Sequence, residues 1–111
     1  MNVSRTRSFG RDFRAAYRSE QERRSAAVAE DWAWAARRAV QDLTETRPGF
    51  LDGYAYAHEG ERLPGGPYRV KMFGVGKKQT HRLVFRVLAD DAVELVALRH
   101  LAQDDLTPLD L

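Results

Sequence analysis

Between Tyr68 and Arg86 the chain carries Arg69, Lys71, Lys77, Lys78, Arg82 and Arg86, and no acid. Guanidinium and ammonium groups only donate hydrogen bonds. A run of them at alternate positions therefore predicts an anion-binding surface, and the commonest large anion in a cell is nucleic acid. An arginine fork matches a phosphate in two directions. A histidine, here His100 after an apolar run, can give or take a proton near neutral pH. The chain as a whole hides this pattern, because its formal charge is only +2. Residues 48–88 hold seven Lys/Arg against three acids, whereas residues 89–111 hold Arg99 against six acids.

Other chemistries are excluded or unsupported. There is no cysteine, so a disulfide framework, a thiolate zinc site and a cysteine nucleophile are ruled out. His58, His81 and His100 stand without acids at metal-ligand spacing, and no cofactor is expected. The glycines of Gly74-Val75-Gly76-Lys77-Lys78 precede a strand pattern, not a helix, so they do not form a nucleotide cradle. Lys77 and Lys78 suit contact with a nucleic-acid backbone, which gives affinity without sequence choice. No apolar stretch approaches the ~20 residues of a membrane span. The arginine-bearing N-terminus has no apolar core of a secretory signal. The expected location is the cytoplasm.

The elements that must position these residues make one α+β domain over residues 1–111, in the order β-α-α-β-β-β. Residues 3–9 alternate weakly as a first strand. Phe9, Phe13 and Tyr17 recur every four residues and predict a helix over 10–19. A second helix is predicted over 21–46, with Val28, Trp32, Ala36, Ala39 and Leu43 facing the core and Arg47-Pro48-Gly49 ending it. Trp34 lies about 200° around the helix from Trp32, either against the first helix or open to a partner. Residues 50–67 are rich in Gly and Pro, and a short turn, a strand or a mobile loop is expected there. Three strands follow over 68–73, 81–88 and 92–98. Loops at 74–80 and 89–91 would make them antiparallel hairpins. On the first, Arg69, Lys71 and Phe73 oppose Tyr68, Val70 and Met72. On the second, Leu83, Phe85 and Val87 face the core, and Arg82, Val84 and Arg86 oppose them. The third is apolar enough to be buried on both faces.

This order, together with Tyr68-Arg69-Val70-Lys71, His81-Arg82-Leu83-Val84-Phe85-Arg86-Val87 and the run from Val93 to His100, resembles the RelE/ParE superfamily of type II toxin–antitoxin toxins. The resemblance implies a RelE-like fold, with the N-terminal strand and two helices on a small antiparallel sheet. It also implies a cognate antitoxin laid over the basic sheet or along the helices. In the RelE branch the toxin enters the ribosome and cuts mRNA without a metal. Carried over, Lys71, Arg82 and His100 become the catalytic group, and Arg69, Lys77, Lys78, Arg86 and Arg99 become RNA contacts. Cleavage needs a base for the 2′-OH, donors for the phosphorane charge and an acid for the leaving oxygen. Lys71, crowded by the like charges of Arg69 and Arg82, would favour its neutral form and serve as the base. Arg82 would clamp the phosphate.

Some members carry a Tyr just after the last strand. Here Leu101-Ala102-Gln103-Asp104-Asp105-Leu106 has none, and it has two acids. Because Arg69, Lys71, Arg82 and His100 are all present, the nuclease branch is the leading expectation; the alternative is the ParE branch, which shares the fold, lacks the nuclease group and inhibits DNA gyrase. For that branch Arg69, Lys71 and Arg82 would matter little, and the Trp34 face and C-terminal tail would matter more. A nucleic-acid-binding module without toxicity is the third alternative.

Overall fold

The computed structural model describes residues 1–47, 49–89 and 91–111, apart from the Glu61 side chain. Pro48, expected to help end the second helix, and Asp90, expected in the last hairpin turn, lie outside them. Strand β1 (Asn2–Arg5) leads into helix α1 (Arg7–Arg23) and helix α2 (Ala26–Thr44), and strands β2 (Tyr68–Phe73), β3 (His81–Ala89) and β4 (Ala92–His100) follow. The expected element order is present.

Two boundaries differ from expectation, and both are set by hydroxyl caps. Thr6 is extended and its Oγ1 accepts from the Phe9 N–H at 3.2 Å, so α1 begins at Arg7 and β1 stops at Arg5. Ser25 accepts from the Val28 N–H at 3.1 Å and starts α2. Residues 21–23, expected in the second helix, thus complete the first. The interruption lets α1 and α2 fold back on each other as a hairpin.

The sheet order is β1-β4-β3-β2. Strands β2, β3 and β4 are antiparallel as expected, but β1 lies parallel to β4, with Val3 opposite Val93. The sheet is therefore mixed rather than antiparallel. The helical hairpin between β1 and β2 is the crossover that permits this, because parallel neighbours need a long connection.

One sheet face packs on the helices. Trp32, 1% exposed, sits at the centre of that core with Phe9, Leu43, Phe73, Leu83 and Phe85. Its ring centroid lies 5.3 Å from Phe13 and 5.9 Å from Phe73. Ala36, Ala39 and Leu43 join it as the helical spacing predicts, with Val28 half-buried. Trp34 points away and is 68% exposed.

The opposite face is also covered. Tyr68, Val84, Val96 and Ala97 form a second core with Ala57, Leu63 and Leu106. A β-bulge, with Val84 opposite Ala97 but Phe85 opposite Leu95, puts an extra residue into β4 and shifts its phase. That is why four consecutive residues from Leu95 to Leu98 are buried. The segment over 50–67 holds two single 3-10 turns, Leu51–Gly53 and Gly60–Arg62. Between them it adds to the β2 edge through Val70 N–H to Ala55 O and Ala57 N–H to Tyr68 O, both 2.9 Å.

Replacing Trp32 with Ala should destabilise the domain by about 3–5 kcal/mol in urea unfolding, through lost burial and the cavity left behind. An unchanged midpoint would contradict this packing of α2.

Candidate functional site

The β2–β3 register separates the basic run instead of assembling it. Arg69 lies opposite Phe85, Lys71 opposite Leu83 and Phe73 opposite His81, so these β2 residues share the helix-side face. Arg82 pairs with Met72 and Arg86 with Tyr68, on the other face. The expected crowding of Lys71 by Arg82 does not arise. Side chains alternate along each strand, so the parity of the hairpin alone decides which sets coincide. Here Phe73 enters the helix-side core, and Arg69 and Lys71 follow it.

Most of these cations already have protein partners. Arg69, 7% exposed, donates to Tyr54 O at 2.5 Å and to the Asp52 carboxylate at 3.0 Å, with its guanidinium 4.0 Å from the Tyr56 ring centroid. Arg86 donates to Glu94 across the β3–β4 pair at 2.5 Å. Arg99 donates to Asp104 O at 2.6 Å. Lys71 sits 3.7 Å from Asp42 on α2. It lines a shallow groove of about 230 Å3 with Arg38, Lys77 and Gln79. Lys77 and Lys78 are exposed on the β2–β3 loop.

Arg82 is the most committed. Both of its terminal nitrogens donate to Glu59, a carboxylate with no exposed surface, at 2.8 Å to Oε1 and more closely to Oε2. Glu59 also accepts from the Leu106 N–H at 2.8 Å. Burial pushes the Glu59 carboxyl up from its ordinary 4.5. The Arg82 hydrogen bonds, the Leu106 N–H and the Arg82 charge outweigh that and leave it lowered. Beside it, His58 bonds Asp105 at 2.6 Å and Arg62 bonds the same carboxylate at 2.9 Å. His58, Glu59 and Asp105 lie close enough to share an ion. Their oxygens are spent on two arginines, however, and those charges oppose a cation.

The remaining polar cluster is at the far end of the sheet. His81 and His100 pair across β3 and β4, with ring centroids 4.9 Å apart. Both line a cleft of about 420 Å3 against α1, which contributes Asp12, Ser19, Glu20 and Arg23, with Arg24 just after it. His81 is 3% exposed and accepts from the Trp32 indole N–H at 3.1 Å on Nδ1. Burial first, and then the His100 charge, push its imidazole down from 6.5 to about 4. Burial likewise pushes the Asp12 carboxyl up, against the Leu98 N–H and Arg11.

Among the expected catalytic residues, then, His100 is exposed in a cleft, Lys71 is in a groove on one sheet face and Arg82 is buried on the other. Glu59 and Asp12 are not marked out by any pattern in the sequence, and His81 is marked only as the first residue of the β3 motif. Glu59 sits in a Gly-rich stretch with no periodicity to place it, and only the register brings His81 against Trp32 and His100. No protein-family model matches the chain, and no curated protein is significantly similar to it.

Two outcomes follow. Arg82→Ala strands the Glu59 carboxylate and should cost about 3–5 kcal/mol in chemical denaturation. The Glu59 contribution is complete above 4.5 and is lost as pH falls through its lowered folded value. Arg82→Ala should therefore also flatten the acid limb of the stability profile. His81 acts over a different window. Unfolded chains protonate it near 6.5 and the folded protein near 4, so stability should fall by about 3 kcal/mol as pH drops across that interval. His81→Gln, which keeps an acceptor for Trp32, should remove that slope.

Proposed function

We propose that this chain is a growth-inhibiting toxin of a type II toxin–antitoxin pair, of the RelE/ParE kind, and that it acts by gripping a protein target, as the gyrase-inhibiting branch does. The observation that carries this reading is the pairing of the sheet arginines. Arg69 is held by Asp52, Arg82 by Glu59 and Arg86 by Glu94. A phosphate clamp must be free to meet phosphate, and releasing Arg82 would leave a carboxylate buried without its partner. Support for the family reading is the order strand–helix–helix–three strands, with an imidazole closing the last strand. Trp34, 68% exposed, and Leu109, 93% exposed, are the large apolar groups most open to a partner. A solvent-facing tryptophan is a common anchor of protein interfaces.

A second reading, metal-independent cleavage of mRNA on the ribosome, is favoured by one observation. Arg38, Lys71 and Lys77 border one groove beside α2, with Asp42 as its acid. Lys78 stands exposed in the same loop as Lys77. These cations would contact an RNA backbone where the paired arginines cannot.

Induced expression in a bacterial host, with DNA and protein synthesis labelled in parallel within minutes, separates the readings. A block of DNA synthesis with an SOS response is expected. Trp34→Ala should relieve it while shifting unfolding free energy by no more than about 0.5 kcal/mol. An early collapse of protein synthesis with mRNA cut at ribosome-bound codons would replace this reading with the second. Absence of any growth effect in a host carrying the target would sink both.

A further inference from the structure

The cleft between α1 and the paired ends of β3 and β4 is built from hydrogen-bond donors whose direction is fixed. The Trp32 indole N–H can only donate, and it points at His81 Nδ1, 3.1 Å away. That nitrogen is therefore bare, the Thr80 hydroxyl at 2.7 Å donates to it as well, and the ring proton sits on Nε2. His100 repeats the arrangement. Its Nδ1 accepts from the Ala102 backbone N–H at 3.0 Å, and this too leaves the proton of the neutral ring on Nε2. With each Nδ1 turned to the protein, Nε2–H is the ring group left to each of two edge-to-face imidazoles that line one cleft. An imidazole in this tautomer has no in-plane lone pair on Nε2, so the pair is wrong for a metal and right for an acceptor.

The charges around the cleft agree. Glu20 is taken up by Arg24 at 3.4 Å. Asp12 accepts from the Leu98 N–H at 3.1 Å and lies 3.6 Å from Arg11. Arg23, exposed on the last turn of α1, has no ion pair among the described residues. Its charge and the two imidazole N–H groups remain unspent.

We propose that this cleft is a phosphate site. It takes a phosphate dianion, free or at the end of a small metabolite, on the Nε2–H groups of His81 and His100 and the guanidinium of Arg23. Three donors from different directions suit the several oxygens of a phosphate better than the two of a carboxylate. A volume of about 420 Å3 leaves room for an organic group beyond the phosphate. The site lies apart from the Arg82–Glu59 pair and from Trp34, and its test does not depend on the toxin reading.

Histidine-ring nitrogen NMR of the whole chain at pH 8 tests it. Both rings should be Nε2–H tautomers. Inorganic phosphate should shift both saturably beyond a chloride control of equal ionic strength. His100→Ala and Arg23→Gln, both exposed positions, should each weaken binding about tenfold or more, and Lys78→Gln should leave it unchanged. Tighter binding of glycerol phosphate than of inorganic phosphate would assign the cleft to a phosphorylated metabolite; equal or weaker binding would assign it to free phosphate. An Nδ1–H tautomer at either ring, a response no larger than that to chloride, or equal binding of acetate would overturn the proposal.

Discussion

A carboxylate without exposed surface, Glu59, facing the guanidinium of Arg82 is the constraint on which the second face of the sheet depends. Taking both charges out of water is costly unless each finds its partner in good geometry. The observed chain path provides that. The segment after α2 must cross β2 so that Glu59 meets β3, and the chain after β4 must return so that the Leu106 N–H reaches the same carboxylate. Ala57, Leu63 and Leu106 are then delivered onto Tyr68, Val84 and Val96, and an otherwise open sheet face becomes a core. The exposed bonds among His58, Arg62 and Asp105 close over this arrangement and add little by themselves.

The helix-side core has its own polar anchor. Trp32 buries the largest side chain of α2, and its indole N–H must find an acceptor there. His81 supplies it, at the price of being held neutral. That choice orients His81 and, through the β3–β4 pairing, sets it beside His100. A packing requirement inside the molecule thus determines which edge of an imidazole faces the α1 cleft. Polar chemistry and core packing are the same event at this end of the sheet.

The charge pattern carries a general lesson. Arg69 and Arg82 lie in an acid-free stretch, yet each meets an acid from an earlier segment, Asp52 and Glu59. Arg86 meets Glu94 from the next strand. Local charge density measured along the chain overstates the free positive surface, because strand pairing and loop closure bring distant carboxylates onto it. Of the basic run between Tyr68 and Arg86, the cations without an ion pair among the described residues are Lys77 and Lys78, in a hairpin loop at the margin of the sheet.

Periodicity in the sequence determined the element types and order, the face of α2 that holds Trp32, Ala36, Ala39 and Leu43, and the bounds of β2, because local alternation and helical spacing are written residue by residue. The caps at Thr6 and Ser25 were also written there, as hydroxyls followed three residues later by apolar positions, and they set the helix starts. Tertiary structure alone decided the parity of the β2–β3 hairpin. The helix-side face of β3, with Leu83, Phe85 and Val87, follows from its alternation, but which face of β2 joins it does not, because both the Tyr68, Val70 and Met72 set and the set with Phe73 offer apolar side chains to a core. The same holds for the bulge in β4, the parallel placement of β1 and the partners of every arginine on the sheet. These depend on which surfaces meet, and a single sidestep of register moves a side chain from one face to the other.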